Sequence, residues 1–215
     1  AALNTGLECA VGDLLVLTDD DVVPRPDWLL RLRSVAESNP AYDVFGGRIE
    51  PLWEVSPPEY LQHPSVVGPL FSVTAPDLED GPVDPGLVWG PNMAIRTHVF
   101  AAGFRFDETI GPSPNPSYTM GSETEFTKRF ARNGQSFIFT NEPVVEHIIP
   151  ADHLDHHWIF GRARRHGRGQ ARLRRRNPTA PELFGVPRWM MRRLPELSII
   201  YAWATLTGNQ RKSFQ

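Results

Sequence analysis

Three consecutive carboxylates, Asp19, Asp20 and Asp21, follow the apolar run Leu14-Leu15-Val16-Leu17 and a single threonine. Like charges a few ångströms apart raise one another's pKa unless something compensates them, and a divalent cation is the usual remedy. Hard oxygen ligands at the carboxyl end of a buried strand suit Mg2+ or Mn2+ holding a diphosphate. A solvated acidic turn is the plainer reading of the triplet, and the LLVL run ahead of it favours the metal-binding one. A second candidate is Glu123, in Gly121-Ser122-Glu123-Thr124-Glu125. Ser122 and Glu125 have the spacing of a capping box, which gives Glu125 a structural task and leaves Glu123 for general-base work on an incoming hydroxyl. His147 stands where a strand pattern gives out, and neutral imidazole is a good ligand for Mn2+. The later His153, His156 and His157 read as a polar helix start rather than as a separate metal cluster. Last comes a run of eight arginines within residues 162–176, with no acid between them. So many uncompensated charges point to a phosphate-bearing partner: anionic lipid, a lipid-linked diphosphate or nucleic acid.

The elements that must position these groups follow from periodicity. Residues 3–10 read as a short helix, and LLVL as a strand buried on both faces. A helix opens at Pro26-Asp27, with Trp28, Leu29, Leu32, Val35 and Ala36 at helical spacing. Residues 43–49 read as a strand whose Gly46-Gly47 invites the close approach of a ligand or another backbone. Eight prolines in residues 51–85 argue for a long ordered surface loop without regular elements. Residues 87–96 read as a strand, a helix begins near Gly121 and closes at Asn133-Gly134, and residues 136–140 and 144–147 read as two further strands. A basic helical stretch over residues 155–176 is weakened by glycines at 161, 167 and 169. The expected architecture is α/β, a mixed and mainly parallel sheet flanked by helices, with residues 1–150 as the core and 151–215 as a basic helical extension.

Charge divides along the same boundary. Residues 1–150 carry 9 Lys/Arg and 21 Asp/Glu, a net −12, while residues 151–215 carry 13 and 4, a net +9, giving −3 for the whole chain. An acidic body suits a bound cation, and a basic end suits an anionic surface. The one cysteine, Cys9, excludes an intramolecular disulfide and a cysteine zinc site, so a reducing compartment, the cytoplasm, is expected. No stretch has the length of a membrane span, and no secretory signal is read at the start. Leu197, Ile199, Ile200, Tyr201, Trp203 and Leu206 form an apolar stretch suited to lying at a membrane surface.

Four stretches, taken in order, resemble the family-2 glycosyltransferases of the GT-A fold: LNTGLECAVGDLLVLTDDDVVPRPDWL, GLVWGPNMAIRTHVFAAGFRFDETIG, GSETEFTKRFARNGQ and VVEHIIPADHLDHHWIFGRARRHGRG. The resemblance implies that Asp19 and Asp21 are the DxD pair, Asp19 near the ribose or base and Asp21 on the metal that bridges the diphosphate, with Asp20 able to exchange roles with Asp21. It places Glu123 at the family's catalytic carboxylate, His147 at its late metal- or diphosphate-contacting histidine, and Trp89, Gly90 and Asn92 in the segment lining the sugar and acceptor site. It also implies that the strands cradling the nucleotide base precede the matched stretches, so the chain is expected to be an N-terminally truncated GT-A core. The implied activity is metal-dependent and inverting, and moves a sugar from a nucleotide-diphosphate sugar to a hydroxyl on a glycan or lipid-linked acceptor, with Mn2+ or Mg2+ as cofactor. Arg162 and Arg165 are expected on substrate phosphates, and the basic helix at the inner membrane face; nucleic acid is not expected. Two other classes compete. A haloacid-type phosphotransferase wants threonine where Val23 stands. A non-enzymatic module binding anionic membrane or nucleic acid through the arginines would leave the acidic strand end dispensable.

Overall fold

The computed structural model describes residues 2–115, 118–176 and 181–206. Of the apolar stretch near the end, the side chains of Leu197, Ile200, Tyr201, Trp203 and Leu206 lie outside the described residues, as do those of Arg175 and Arg176. Strands β1 (Leu14–Leu17), β2 (Val22–Pro24), β3 (Val44–Trp53), β4 (Gly81–Pro82), β5 (Met93–Arg96) and β6 (Phe137–Ile149) form one mixed sheet. Its order is β1-β5-β3-β6-β2, and β4 pairs with the first part of β6. The longest ladder, β3 with β6 from Val44↔Phe137 to Trp53↔Ile149, is parallel. The shorter ones are antiparallel. Parallel neighbours are thus confined to the central ladder, because β5 returns from a long excursion rather than from a crossover helix and runs in between β1 and β3 the other way.

Alternation along the strands divides the core into two layers. On one face Val44, Met93 and Ile95 meet Phe126 and Phe130 of α5 (Ser122–Ala131) and Val99 and Phe100 of α4 (His98–Ala101). On the other, Phe45, Ile49, Ala94 and Val145 meet Trp28, Leu32, Val35 and Ala36 of α2 (Trp28–Ser38). Leu29 falls off that stripe, one residue past Trp28, and is 58% exposed. Strand β1 is half-buried rather than buried on both faces, because among the described residues no strand pairs with its outer edge. The segments 136–140 and 144–147 are one strand, β6, with residues 141–143 bulging opposite the step between Gly47 and Arg48.

A third cluster joins the sheet's far end to two helices. Tyr60, Leu61, Val67, Leu70 and Phe71 pack with Ile149 of β6 and Ile159 of α6 (His156–Arg176). The proline-rich stretch therefore does hold a helix, α3 (Pro64–Phe71). Pro64 opens it where no N–H is needed, and burial of Val67, Leu70 and Phe71 sustains it. Helix α6 runs unbroken through its three glycines. Gly169 is required there, since a Cβ at that position would collide with the Met120 carbonyl. Short α1 (Ala2–Glu8), the hairpin β7 (Glu182–Leu183) and β8 (Val186–Pro187), and α7 (Arg188–Leu206) complete the described chain.

Candidate active site

A cleft of about 360 Å³ opens where β1 ends, lined by Asp19, Asp20, Asp21, Trp89, Gly90, Glu123, Arg162 and His166, among others. The sheet register assembles its acidic side. Val22 pairs with His147, and the Ile148 amide donates to the Asp21 carbonyl at 2.8 Å, so Asp21 and His147 stand side by side. Their side chains meet, Asp21 Oδ2 lying 3.2 Å from His147 Nε2. Leu17 opposite Met93 brings the end of β1 next to the turn that carries Trp89 and Gly90. Above that turn sits the first helical turn of α5, where a Cβ on Gly90 would lie 3.2 Å from Glu123 Cγ. Helix α6 supplies Arg162 and His166, four residues apart and therefore on one face. Helix α3 contributes Gly68 and Pro69, and Ser72, just past its end, lines the cleft at φ 54°. Left-handed backbone at a non-glycine residue is strained, and such strain is concentrated at functional sites.

Electrostatics mark the cleft as short of positive charge. The Asp19 carboxyl is pushed up to about 6, first by burial among the cleft walls and then by the carboxylates of Glu123, Asp21 and Asp20, with His147 opposing them. Asp19 is nonetheless exposed as a residue, so solvent screens part of that repulsion. Burial also lowers the Arg162 guanidinium from its usual value, opposed by Tyr118, Asp21 and Asp19. Its Nε is buried with no hydrogen-bond partner among the described residues. His166 is held below the usual imidazole range by burial, Arg162 and Lys128, which keeps it neutral near pH 7.

The pair Asp21 and His147 fits a divalent cation. His147 Nδ1 lies 2.5 Å from the Phe71 carbonyl oxygen and must donate to it. In the neutral ring this leaves the Nε2 lone pair facing a carboxylate oxygen, two acceptors in contact unless a proton or cation lies between them. Asp21 Oδ1 is buried without a partner as well. Two donors of one octahedral cation, each at about 2.1 Å, stand about 3 Å apart, close to the spacing seen here. No cluster of three or more His, Cys, Asp or Glu side chains able to hold a metal occurs among the described residues.

The sequence-derived residues separate here. Asp19, Asp20, Asp21, Trp89, Gly90, Glu123 and Arg162 all border the cleft, and His147 lies behind Asp21. Asn92 does not border it. Its side chain is 1% exposed, accepts from Trp28 Nε1 at 2.8 Å, and donates to the carbonyls of Arg48 and Pro143 at 2.9 Å. It is a core brace occupying the gap that Gly47 leaves, so the close approach to Gly47 is by this side chain rather than by a ligand. Arg165 is set back from the cleft, with its guanidinium 5.3 Å above the Tyr118 ring, and it supports a cleft residue instead of lining the cleft. The expected capping box is absent. The N-cap is Gly121 at φ 96°, Ser122 is already helical, and buried Glu125 pairs with Arg129 at 3.0 Å. Glu125 is structural by that ion pair. Tyr118, Met120, Ser72 and His166 carried no periodicity or motif that would have marked them.

The sequence pattern of glycosyl transferase family 2 matches residues 1–109, half of the chain. The chain belongs to glycosyl transferase family 2. The glucosyl-dolichyl phosphate glucuronosyltransferase of Haloferax volcanii is 22% identical to this family-2 chain over 158 residues, covering 74% of it and 50% of that protein. The chain thus spans about half the length of that relative. Among solved structures, S. aureus TarS 1–349 with UDP aligns over 68% of this chain and 38% of that one, at 15% identity and a TM-score of 0.45. The complex of TarS 1–349 with UDP-GlcNAc aligns over 68% and 37%, at 15% identity and a TM-score of 0.43.

Proposed function

We propose that the chain is the metal- and acceptor-binding part of an inverting glycosyltransferase that moves a sugar from a nucleotide-diphosphate sugar to a hydroxyl on a glycan or lipid-linked acceptor, at the cytoplasmic face of a membrane. The observation that carries this reading is the convergence of Asp19, Asp21, Glu123 and Arg162 on one cleft whose repelling carboxylates await a cation. Asp21 and His147 would hold Mn2+ or Mg2+, which when bound supplies positive charge against the diphosphate. Asp19 faces the ribose side of the donor, and the buried Arg162 guanidinium offers its unpaired Nε–H to a phosphate oxygen. Trp89, whose Nε1 is tied to the Gly86 carbonyl at 3.0 Å, presents a fixed wall to the sugar.

In the transfer step Glu123 removes the acceptor hydroxyl proton as that oxygen attacks the anomeric carbon. The bond from that carbon to the diphosphate oxygen breaks, and the nucleoside diphosphate leaves with the electron pair. Attack opposite the leaving group inverts the centre without a covalent intermediate. The test is Glu123→Gln, read as sugar released or transferred from labelled donors alongside nucleotide binding. Loss of turnover by about a hundredfold or more with binding retained is expected. Unchanged turnover would remove Glu123 as the base.

A further inference from the structure

The sequence points to α6 as the element that meets an anionic surface, but several of its arginines are turned to the protein itself. Arg162 faces the cleft, Arg165 lies over Tyr118, and Arg172 pairs with Asp107 at 3.4 Å. Arg174 stacks on Trp189 at 4.6 Å and fixes the start of α7 against α6. The exposed apolar surface lies beyond it. The two-residue turn between β7 and β8 holds Phe184 at φ 52° and Gly185 at φ 74°. Positive φ at both central positions is what a tight hairpin wants, but it favours Asn or Gly over a bulky ring. The turn gains nothing from phenylalanine, yet the ring projects at the tip with 92% exposure.

Next to the hairpin, Met191 and Leu194, three residues apart and so on one face of α7, are 42% and 54% exposed. Helical periodicity turns Arg192, Arg193 and Glu196 to the opposite side. No described helix is long and apolar enough to cross a membrane. An exposed aromatic tip, an apolar helix stripe and flanking arginines are the makings of an interfacial contact. We propose that the β7–β8 turn and the Met191/Leu194 side of α7 seat in the headgroup region of an anionic lipid bilayer. Charge complementarity selects that occupant: the net +9 of residues 151–215 is drawn to the surface, while the net −12 of residues 1–150 is repelled and held off it. The purpose of the contact rests on the transferase reading, since it keeps the cleft near a lipid-linked acceptor.

Flotation of the whole chain with phosphatidylcholine vesicles, with and without phosphatidylglycerol, tests it. Binding is expected only with the anionic lipid, weakening between about 0.1 M and about 1 M salt as charges are screened. R192A/R193A removes two charges of about 1 kcal/mol each, which is about a 30-fold loss of partitioning. Phe184→Gly, which suits the backbone of the turn, is expected to lose about tenfold while melting no lower than the parent. Equal flotation with neutral vesicles, no flotation at all, parental binding by both variants, or a dimer that Phe184→Gly dissolves would each overturn it. Nucleotide binding measured on the same samples is expected to be indifferent to both variants. Its absence from the parent chain would count against the transferase reading and leave the lipid result standing.

Discussion

Asp19→Asn is expected to make the ligand-free protein more stable, and only above mildly acidic pH. A carboxyl raised from 3.8 to about 6 is worth about 3 kcal/mol in full. Asp19 retains solvent access, so screening reduces this to about 1 kcal/mol. The folded protein holds the Asp19 proton more tightly than the unfolded chain does. Its contribution is therefore favourable below pH 4 and is lost as pH rises through 6. At pH 7.5 the asparagine removes a charge that burial disfavours and that Glu123, Asp21 and Asp20 repel, raising the melting temperature by about 2–4 °C for a domain of this size. At pH 4 parent and variant are expected to melt within a degree or so of each other. Thermal unfolding by circular dichroism at both pH values checks this. A variant that melts lower at pH 7.5, or gains equally at both, would refute the claim that the cleft is electrostatically strained. The gain in stability is expected to come with loss of nucleotide binding, as is common where a site stores repulsion for a ligand.

Other outcomes follow from the same contacts. Asn92→Ala leaves Trp28 Nε1 and the carbonyls of Arg48 and Pro143 unpaired, and is expected to destabilise by about 3 kcal/mol in chemical denaturation. A variant of normal stability but impaired substrate binding would return Asn92 to the site. Gly169→Ala forces α6 away from the Met120 carbonyl, so both melting temperature and nucleotide affinity are expected to fall. If only the melting temperature fell, the 118–120 segment would not shape the cleft. Glu125→Gln breaks the buried pair with Arg129 and is expected to cost about 2 kcal/mol of stability, measured in urea, without changing turnover per folded molecule.

The acidic strand end, the α2 stripe and the α5 helix were legible because each rests on local pattern: an apolar run ending in carboxylates, a 3.6-residue period, a helix start. The missed features depend on partners distant in sequence. Asn92 looks like a surface polar residue until Gly47, Trp28 and Pro143 are brought around it. Helix α3 was hidden by proline content, and only the cluster with Ile149 and Ile159 explains its stability. Arg165, Arg172 and Arg174 looked uncompensated because Tyr118, Asp107 and Trp189, which engage them, lie on separate segments. The pairing of Asp21 with His147 came from the β2–β6 register, which no local pattern encodes.

Under the proposed function the cleft binds a nucleoside diphosphate through a divalent cation on Asp21. Thermal unfolding with UDP, GDP and dTDP, each with and without Mn2+, tests it directly on the parent and on Asp21→Ala. Nucleotide at about a hundred times its dissociation constant should add about 2.7 kcal/mol, or roughly 5–10 °C for a domain of this size. That increment is expected for at least one nucleotide, only with Mn2+ present, and not in Asp21→Ala. An equal increment without Mn2+, one that survives in Asp21→Ala, or none with any nucleotide would contradict it.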